Sequence, residues 1–259
     1  FLKGGAPMGD LYTKPMAKAS SLRRGLSPTI WSQAPITEIS IGGLTEGFGF
    51  IDDFLTFDDG SNSWLLTNAT SGTAALDVAA KGGVLLLDSA AAANNQGVQI
   101  QMGGEIAASS FIASAVSKIY YEARVKIADI GSTTCQMFLG LSSIDTSILA
   151  SAANTSINHI GFEAINDTAM GFHSEKADTR ASTAAVHTVV DDAYVKLGFV
   201  VDGLTKVTPY VNGVAKAAIT TQLPIVGMTP SFVCHSSGTT DPIVHVDWVA
   251  CYQVEQIAN

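Results

Sequence analysis

Apolar and polar residues alternate along most of this chain. In the stretch YYEARVKI (residues 120–127) every second residue is apolar, and Glu122, Arg124 and Lys126 lie between them. The stretches CQMFLGL and VKLGFVVD alternate in a similar way. Because successive side chains of a β-strand point to opposite faces, this period of two predicts strands with one face in a core. The charged positions of the first stretch predict that its other face is exposed to water.

Two turn dipeptides bracket one short predicted strand. Asp202-Gly203 and Asn212-Gly213 lie on either side of the segment KVTPYV. Both supply the positive φ angles that tight two-residue hairpin turns require, so they predict an antiparallel meander. The later stretch VHVDWVACYQV is apolar on both faces and predicts a strand that is covered on both sides. From the stretches VKLGFVVD and VHVDWVACYQV we predict a set of core residues between the sheets: Val195, Leu197, Phe199, Val201, Val246 and Trp248.

Strand signals recur from Phe48 onward in about ten to thirteen segments, and no long segment has a helical period. Such a series without helical crossovers closes as a two-sheet antiparallel sandwich. The predicted fold is therefore all-β, with a jelly-roll sandwich domain over residues 46–259. An extended, basic N-terminal arm over residues 1–45 precedes it.

The arm differs from the remainder of the chain in charge. Residues 1–30 hold five basic residues and one acid, a net charge of +4, whereas the whole chain carries −9 and the remainder therefore −13. Frequent proline and glycine indicate an extended segment. One interpretation is a disordered tail, and the other is an arm that becomes ordered on a neighbouring subunit. For the second interpretation the partner-binding residues are predicted to be Leu11, Tyr12, Leu22, Arg23, Arg24, Ile30 and Trp31.

Composition excludes several classes of partner. The formal net charge of −9 argues against nucleic acid, because phosphate binding requires clustered lysine and arginine. No apolar run approaches the roughly 18 residues that predict a membrane span, so no membrane partner is expected.

Cys135, Cys234 and Cys251 are too few and too widely spaced for a disulfide framework. We expect these cysteines to be buried apolar thiols, which fit assembly in a reducing cytoplasm.

Five stretches resemble a known superfamily in their order along the chain. IYYEARVKI, FLGLSS, HIGFEAIN, VKLGFVVDG with VTPYVNGVAK, and VHVDWVACYQ follow one another between about Phe48 and Val254. The pattern is similar to the concanavalin A-like lectin/glucanase superfamily. More narrowly, it resembles the jelly-roll variant of tailed-bacteriophage capsid decoration (cement) or head-fibre proteins.

That resemblance implies a non-enzymatic structural protein of the virion. The expected role is decoration of the outer capsid surface, where arm and sandwich bind and stabilise the major capsid protein after assembly in the host cytoplasm. Closed symmetry is the rule for such oligomers, and threefold capsid positions imply a homotrimer. The resemblance implies no cofactor.

The catalytic pattern of the superfamily's glucanases is missing from this sequence. Their E-x-D-x-E strand places acid and nucleophile on one face, about 5–5.5 Å apart in retaining enzymes. No two acidic residues occur at i and i+2 here; Glu122 is followed by Arg124, and Glu163 by Ile165. We therefore predict that the protein is not an enzyme. We also predict no metal site, because none of the histidines occurs at ligand spacing: His159, His173, His187, His235 and His245.

Glycan binding is the alternative function that the resemblance leaves open. A lectin-like adhesion module for a host glycan needs exposed aromatic faces beside amide or carboxylate groups. The candidates are Trp64, Tyr120 and Tyr210, the last close to Asn212 on a predicted turn. The competing interpretation is that these aromatic residues fill the sandwich or an oligomer contact.

Overall fold

The protein folds into two antiparallel β-sheets that pack face to face. The structure, a computed structural model, describes residues 25–32, 34, 47–59, 64–70, 72–80, 82–90, 96–103, 111–129, 135–150, 153–165, 168–236, 238 and 241–255. One short helix, α1 (Pro28–Trp31), precedes the strands. The strands are β1 (Gly47–Asp52), β2 (Trp64–Thr70), β3 (Thr73–Leu76), β4 (Leu85–Asp88), β5 (Gln96–Met102), β6 (Ser117–Ala128), β7 (Cys135–Ser142), β8 (Leu149–Ala150), β9 (Ala153–Asn154), β10 (Asn158–Ile165), β11 (Ala169–Lys176), β12 (Thr179–Thr188), β13 (Val195–Asp202), β14 (Lys206–Val211), β15 (Val214–Ala215), β16 (Thr229–Ser236) and β17 (Ile243–Glu255).

The strand order confirms the predicted two-sheet sandwich. The eight-stranded sheet runs β15-β14-β13-β6-β17-β4-β3, and β1 also pairs with β17. The seven-stranded sheet runs β12-β11-β10-β7-β16-β5-β2. Strands β8 and β9 form a separate small pair. All of these pairings are antiparallel, as expected for a chain without helical crossovers.

One hydrophobic core fills the space between the sheets, and Phe199 lies in it. Its ring stacks on Tyr121 at 4.8 Å and lies 5.6 Å from the ring of Phe172 in the other sheet. The alternation of β13 therefore predicted the inward face correctly. Five of the six predicted core residues are buried there: Val195, Leu197, Phe199, Val201 and Val246.

Trp248, the sixth predicted core residue, is buried on the opposite face of the eight-stranded sheet. The register of β17 against β6 shifts between Val246 and Trp248. A bulge of this kind adds one residue and reverses the direction of every later side chain. Val249 and Cys251 consequently enter the core, while Trp248 joins a second cluster on the outer face. The strand is covered on both sides, as predicted.

The two predicted hairpin turns differ in length. Asn212 and Gly213 have φ angles of 50° and 76° and join β14 to β15 as a two-residue turn, with Val211 paired to Val214. At the other end of β14, Asp202 pairs with Lys206, so three residues form that loop. The meander is as predicted, but the Asp-Gly turn is one residue longer than a tight hairpin.

Segments that belong to neither large sheet pack on the outer faces of both sheets. Residues 25–32, which we call the strap, pack on the eight-stranded sheet next to Trp248. Residues 143–150 and 153–157, which we call the cover loop and which include β8 and β9, pack on the seven-stranded sheet through Ile148 and Leu149. No helix in the described part of the chain is long and apolar enough to cross a membrane.

Candidate functional site

The strap is held by one buried carboxylate. Glu122 points outward from β6 and has no exposed surface. Its Oε2 atom accepts hydrogen bonds from the Trp31 indole Nε1 and the Ser27 backbone N–H, each 2.9 Å long. Its Oε1 atom is buried without a hydrogen-bond partner. Because the strap covers this strand, the prediction of a water-exposed face is wrong at Glu122.

Apolar contacts seat the strap around that carboxylate. Ile30 and Trp31 are 2% and 6% exposed and belong to a cluster with aromatic residues of β6 and β17. The Trp31 ring lies 6.0 Å from that of Tyr120. Gly198 leaves room for Ile30, since a β-carbon at that position would lie 2.7 Å from the Ile30 Cδ1 atom. The groove is thus shaped to this segment.

Two further hydrogen bonds hold the strap, one at Thr29 within α1 and one at Gly25 at its start. The Thr29 hydroxyl donates to the Gly213 carbonyl at 2.7 Å, and the Lys196 ammonium donates to the Gly25 carbonyl at 3.2 Å. The Asn212-Gly213 hairpin that the sequence predicted therefore forms one wall of the groove. In this wall the Asn212 side-chain oxygen accepts a hydrogen bond from the Lys196 backbone N–H at 2.9 Å.

The strap contacts the sandwich of its own chain, whereas the second interpretation of the arm predicted that Ile30 and Trp31 contact a neighbouring subunit. Ile30 and Trp31 pack on the sheet of their own chain for two reasons. The buried Glu122 carboxylate accepts hydrogen bonds from two N–H groups of the strap, and the aromatic residues around it pack against the strap's apolar side chains. The other predicted arm contacts lie outside the described residues: Leu11, Tyr12, Leu22, Arg23 and Arg24. For them, contact with a neighbouring subunit stays a prediction.

Burial changes the titration of the carboxylate under the strap. Removal from water raises the pKa of Glu122, and the hydrogen bonds from Ser27 and Trp31 oppose that rise by stabilising the charged form. The stability of the contact between strap and sandwich should therefore depend on pH through Glu122.

Two of the predicted glycan-binding aromatic residues are buried. Trp64 is 2% exposed, packs among Phe50, Phe54 and Phe232, and donates its indole N–H to Asp52 at 2.9 Å. Its ring has no free face for stacking on a sugar, so that assignment is wrong.

The same correction applies to Tyr120, which lies 3% exposed under the strap. Tyr210 is half-buried beside the strap cluster, and Asn212 is exposed on its hairpin. The four candidates do not form one open aromatic platform.

Two glutamines hold the cover loop on the seven-stranded sheet. Gln99 accepts a hydrogen bond from the Ile148 N–H at 2.8 Å, and Gln101 accepts one from the Asp145 N–H at 2.9 Å. Ile148 and Leu149 complete a small apolar cluster with side chains of β7 and β16. The middle of this outer face is therefore occupied by the chain itself.

A charged cluster lies on the same outer face, across β10, β11 and β12. Arg180 donates to Glu163 at 3.0 Å and to Glu175 at 2.7 Å. The Nε2 atom of His173 lies 3.8 Å from Glu163, and that of His159 lies 3.8 Å from Glu175. Oε2 of Glu163 is buried and has no hydrogen-bond partner, which leaves one unused acceptor in the cluster.

Burial keeps both imidazoles of this cluster uncharged at neutral pH. Loss of water contact lowers the pKa of His159 from 6.5 to about 4 and also lowers that of His173. Burial alone would lower the pKa of Arg180, but its pairing with Glu163 and Glu175 raises it. The cluster is a hydrogen-bonded ion network that can bind polar groups at its rim, where Arg180 is 30% exposed.

The geometry of the cluster differs from that of an acid–base pair. Both glutamates are hydrogen bonded to one guanidinium, so neither is a free carboxyl that faces a second one across an open cleft. Among the described residues, no group of three or more His, Cys, Asp or Glu side chains could hold a metal ion.

The sequence contained a signal for this cluster. His159 and Glu163 are four residues apart on one strand, and His173 and Glu175 are two apart on the next, so each pair shares a face. A search restricted to paired acids passes over such acid–histidine pairs. The role of Arg180 depends on the register of β12 against β11, where Glu175 pairs with Arg180.

Comparison with known proteins gives the fold. No protein-family model matches the chain, and no curated protein matches it. Among solved structures, a protein of unknown function from Shewanella oneidensis (SO2946) superposes with a TM-score of 0.60 at 13% identity, over 88% of this chain and 97% of the other.

Two further similar structures have functions in their names. An endo-1,3-β-glucanase from Streptomyces sioyaensis has a TM-score of 0.55 at 14% identity, over 82% of this chain and 98% of the glucanase. Peanut lectin has a TM-score of 0.53 at 12% identity, over 83% of this chain and 100% of the lectin. At these identities the likeness shows the fold alone. The chain has the concanavalin A-like jelly-roll fold.

Proposed function

We propose that this protein is a non-enzymatic structural protein of a virion, which decorates the outer capsid surface and stabilises it. The observation that supports this proposal best is that chain segments cover the outer faces of both sheets, one through Glu122 and the other through Gln99 and Gln101. In a sandwich covered in this way, the chain itself occupies part of each described outer face. The order of the five sequence stretches supports the virion assignment.

Decoration acts through interface area. Each bound copy adds contacts that must be lost before capsid subunits separate, and stable interfaces bury about 1,200–2,000 Å². The basic arm, +4 over residues 1–30, is the part of the chain with charge opposite to the remainder. Exposed ion pairs contribute only about 0–1 kcal/mol each, so apolar anchors must supply most of the binding energy.

Binding to capsids tests this function directly. Purified protein is added to particles that lack it, and the particles are separated by sedimentation. Saturable co-sedimentation that survives moderate salt supports decoration. Protein that stays in the supernatant at all concentrations contradicts it.

Glycan binding is the second candidate, and the charged cluster favours it. Arg180 and His173 carry hydrogen-bonding groups at the rim of the seven-stranded sheet, and peanut lectin shares the fold. A glycan array with the wild type and Arg180→Ala tests this candidate. Array binding that is lost in the variant supports the lectin assignment, and an array without signal removes it.

A further inference from the structure

The strap occupies its groove as a peptide ligand occupies a receptor. It belongs to neither sheet, and its described contacts include two buried anchors, Ile30 and Trp31, the partly buried Leu26, and four hydrogen bonds. By contrast, β1 is part of the sheet, because it pairs along β17 over six residue positions. Removing the strap would break none of the strand pairings in the described part of the chain.

A connecting segment of the chain lies between the strap and the first strand. Residues 35–46 separate Ala34 from the start of β1. Twelve extended residues span up to about 40 Å, which is comparable with the size of a small domain. The strap of one copy can therefore reach the groove of a neighbouring copy.

We propose that the groove is a binding surface for a second copy of this chain, and that two copies exchange their straps. The exchange keeps every described contact between strap and groove, because the same strap enters the same groove in both arrangements. Exchange of an identical element is a low-cost route to oligomers, and mass action favours it as protein concentration rises. Residues 35–46 set the effective concentration of the strap at its own groove. The strap moves to the groove of a second copy when the protein concentration becomes comparable with that effective concentration.

The chemistry of the groove selects this segment over an unrelated peptide. A buried carboxylate that is left without donors is costly, and Glu122 needs both the Trp31 indole and the Ser27 N–H. The vacant space at Gly198 fits Ile30, and the Gly213 carbonyl receives the Thr29 hydroxyl. The matching occupant is another copy of the strap.

An isotope-mixing experiment on the full chain tests the exchange. A photo-crosslinking residue replaces the exposed Thr29, whose side chain contacts the Gly213 carbonyl. Equal amounts of unlabelled and ¹⁵N-labelled protein are mixed at high concentration, equilibrated and irradiated. We expect strap–hairpin crosslinks of mixed isotope to be about as abundant as those of one isotope and to decline on dilution. Crosslinks of one isotope only, at every concentration, would overturn the proposal.

A directional control ties the exchange to the groove. When only the labelled chain carries Glu122→Ala, mixed crosslinks should consist mainly of a labelled strap on an unlabelled hairpin. Equal amounts of both mixed species would place the contact outside the groove and also overturn the proposal. The crosslinker at Leu204, in a hairpin of the sandwich itself, reports the background. Since only purified chain is used, the result does not depend on whether the protein binds capsids.

Discussion

The indole N–H of Trp31 donates a 2.9 Å hydrogen bond to the buried carboxylate of Glu122, 91 residues further along the chain. The same oxygen also accepts the Ser27 N–H. One outward-facing acid of β6 thus organises a segment that precedes the first strand. Without that segment, Glu122 and the aromatic residues beside it would face water.

Removing this carboxylate should destabilise the protein. Glu122→Ala leaves two buried N–H donors without an acceptor, and each such loss costs about 1–3 kcal/mol. Glu122→Gln keeps an acceptor oxygen and should cost less. Urea unfolding of the two variants at pH 7 measures the difference. Equal losses in the two variants would show that the hydrogen bonds are not what holds the strap.

The stabilities of the wild type and of Glu122→Gln should depend differently on pH. Burial raises the pKa of Glu122 above its ordinary 4.5, so its contribution to stability is fully present below that value and is lost as pH rises through the folded-state pKa. Relative to the wild type, Glu122→Gln should therefore gain stability as pH rises from about 4.5 through the folded-state pKa of Glu122. Parallel stability curves for the two proteins over this range would contradict the shift.

Two truncations separate the strap from the residues before it. Deletion of residues 1–24 leaves every described contact in place and should leave the unfolding temperature unchanged. Deletion of residues 1–32 uncovers Glu122, Tyr120 and Trp248, and should lower that temperature and increase binding of a hydrophobic dye. If both truncations behave like the full chain, the strap does not cover this face in solution.

Much of the core could be predicted from local pattern. The alternation around Phe199 identified the inward side of β13, because no bulge interrupts that strand. The same reasoning failed at Trp248, since the bulge after Val246 reverses the later side chains and no local signal marks it. Glu122 appeared to lie on a wet face because its partner, Trp31, is distant in sequence. The alternation of apolar and polar residues along a strand does not reveal contacts with residues that are distant in sequence.

The centre of the core should be intolerant of truncation. Phe199→Ala removes a ring that contacts aromatic residues of both sheets and should cost about 3–5 kcal/mol. Leu204→Ala, at a residue that is 43% exposed, is the matched control and should change stability by less than about 0.5 kcal/mol. Similar effects of the two substitutions in urea unfolding would overturn the core assignment.

Buried histidines should make the fold sensitive to acid. Burial lowers the pKa values of His159 and His235 from 6.5 to about 4. Their neutral forms are favoured in the folded state, so their contribution is present above pH 6.5 and is lost as pH falls from 6.5 to about 4. Titration of the histidine resonances by NMR checks this directly. Values near 6.5 for both residues would contradict their burial.

The central claim is that this protein is a stoichiometric, non-enzymatic component of a virion. Quantitative mass spectrometry of extensively washed particles tests it most directly. We predict that the protein remains at a fixed ratio to the major capsid protein, set by the symmetry of the shell, in every preparation. Its absence from washed particles, or trace amounts that vary between preparations, would contradict the claim.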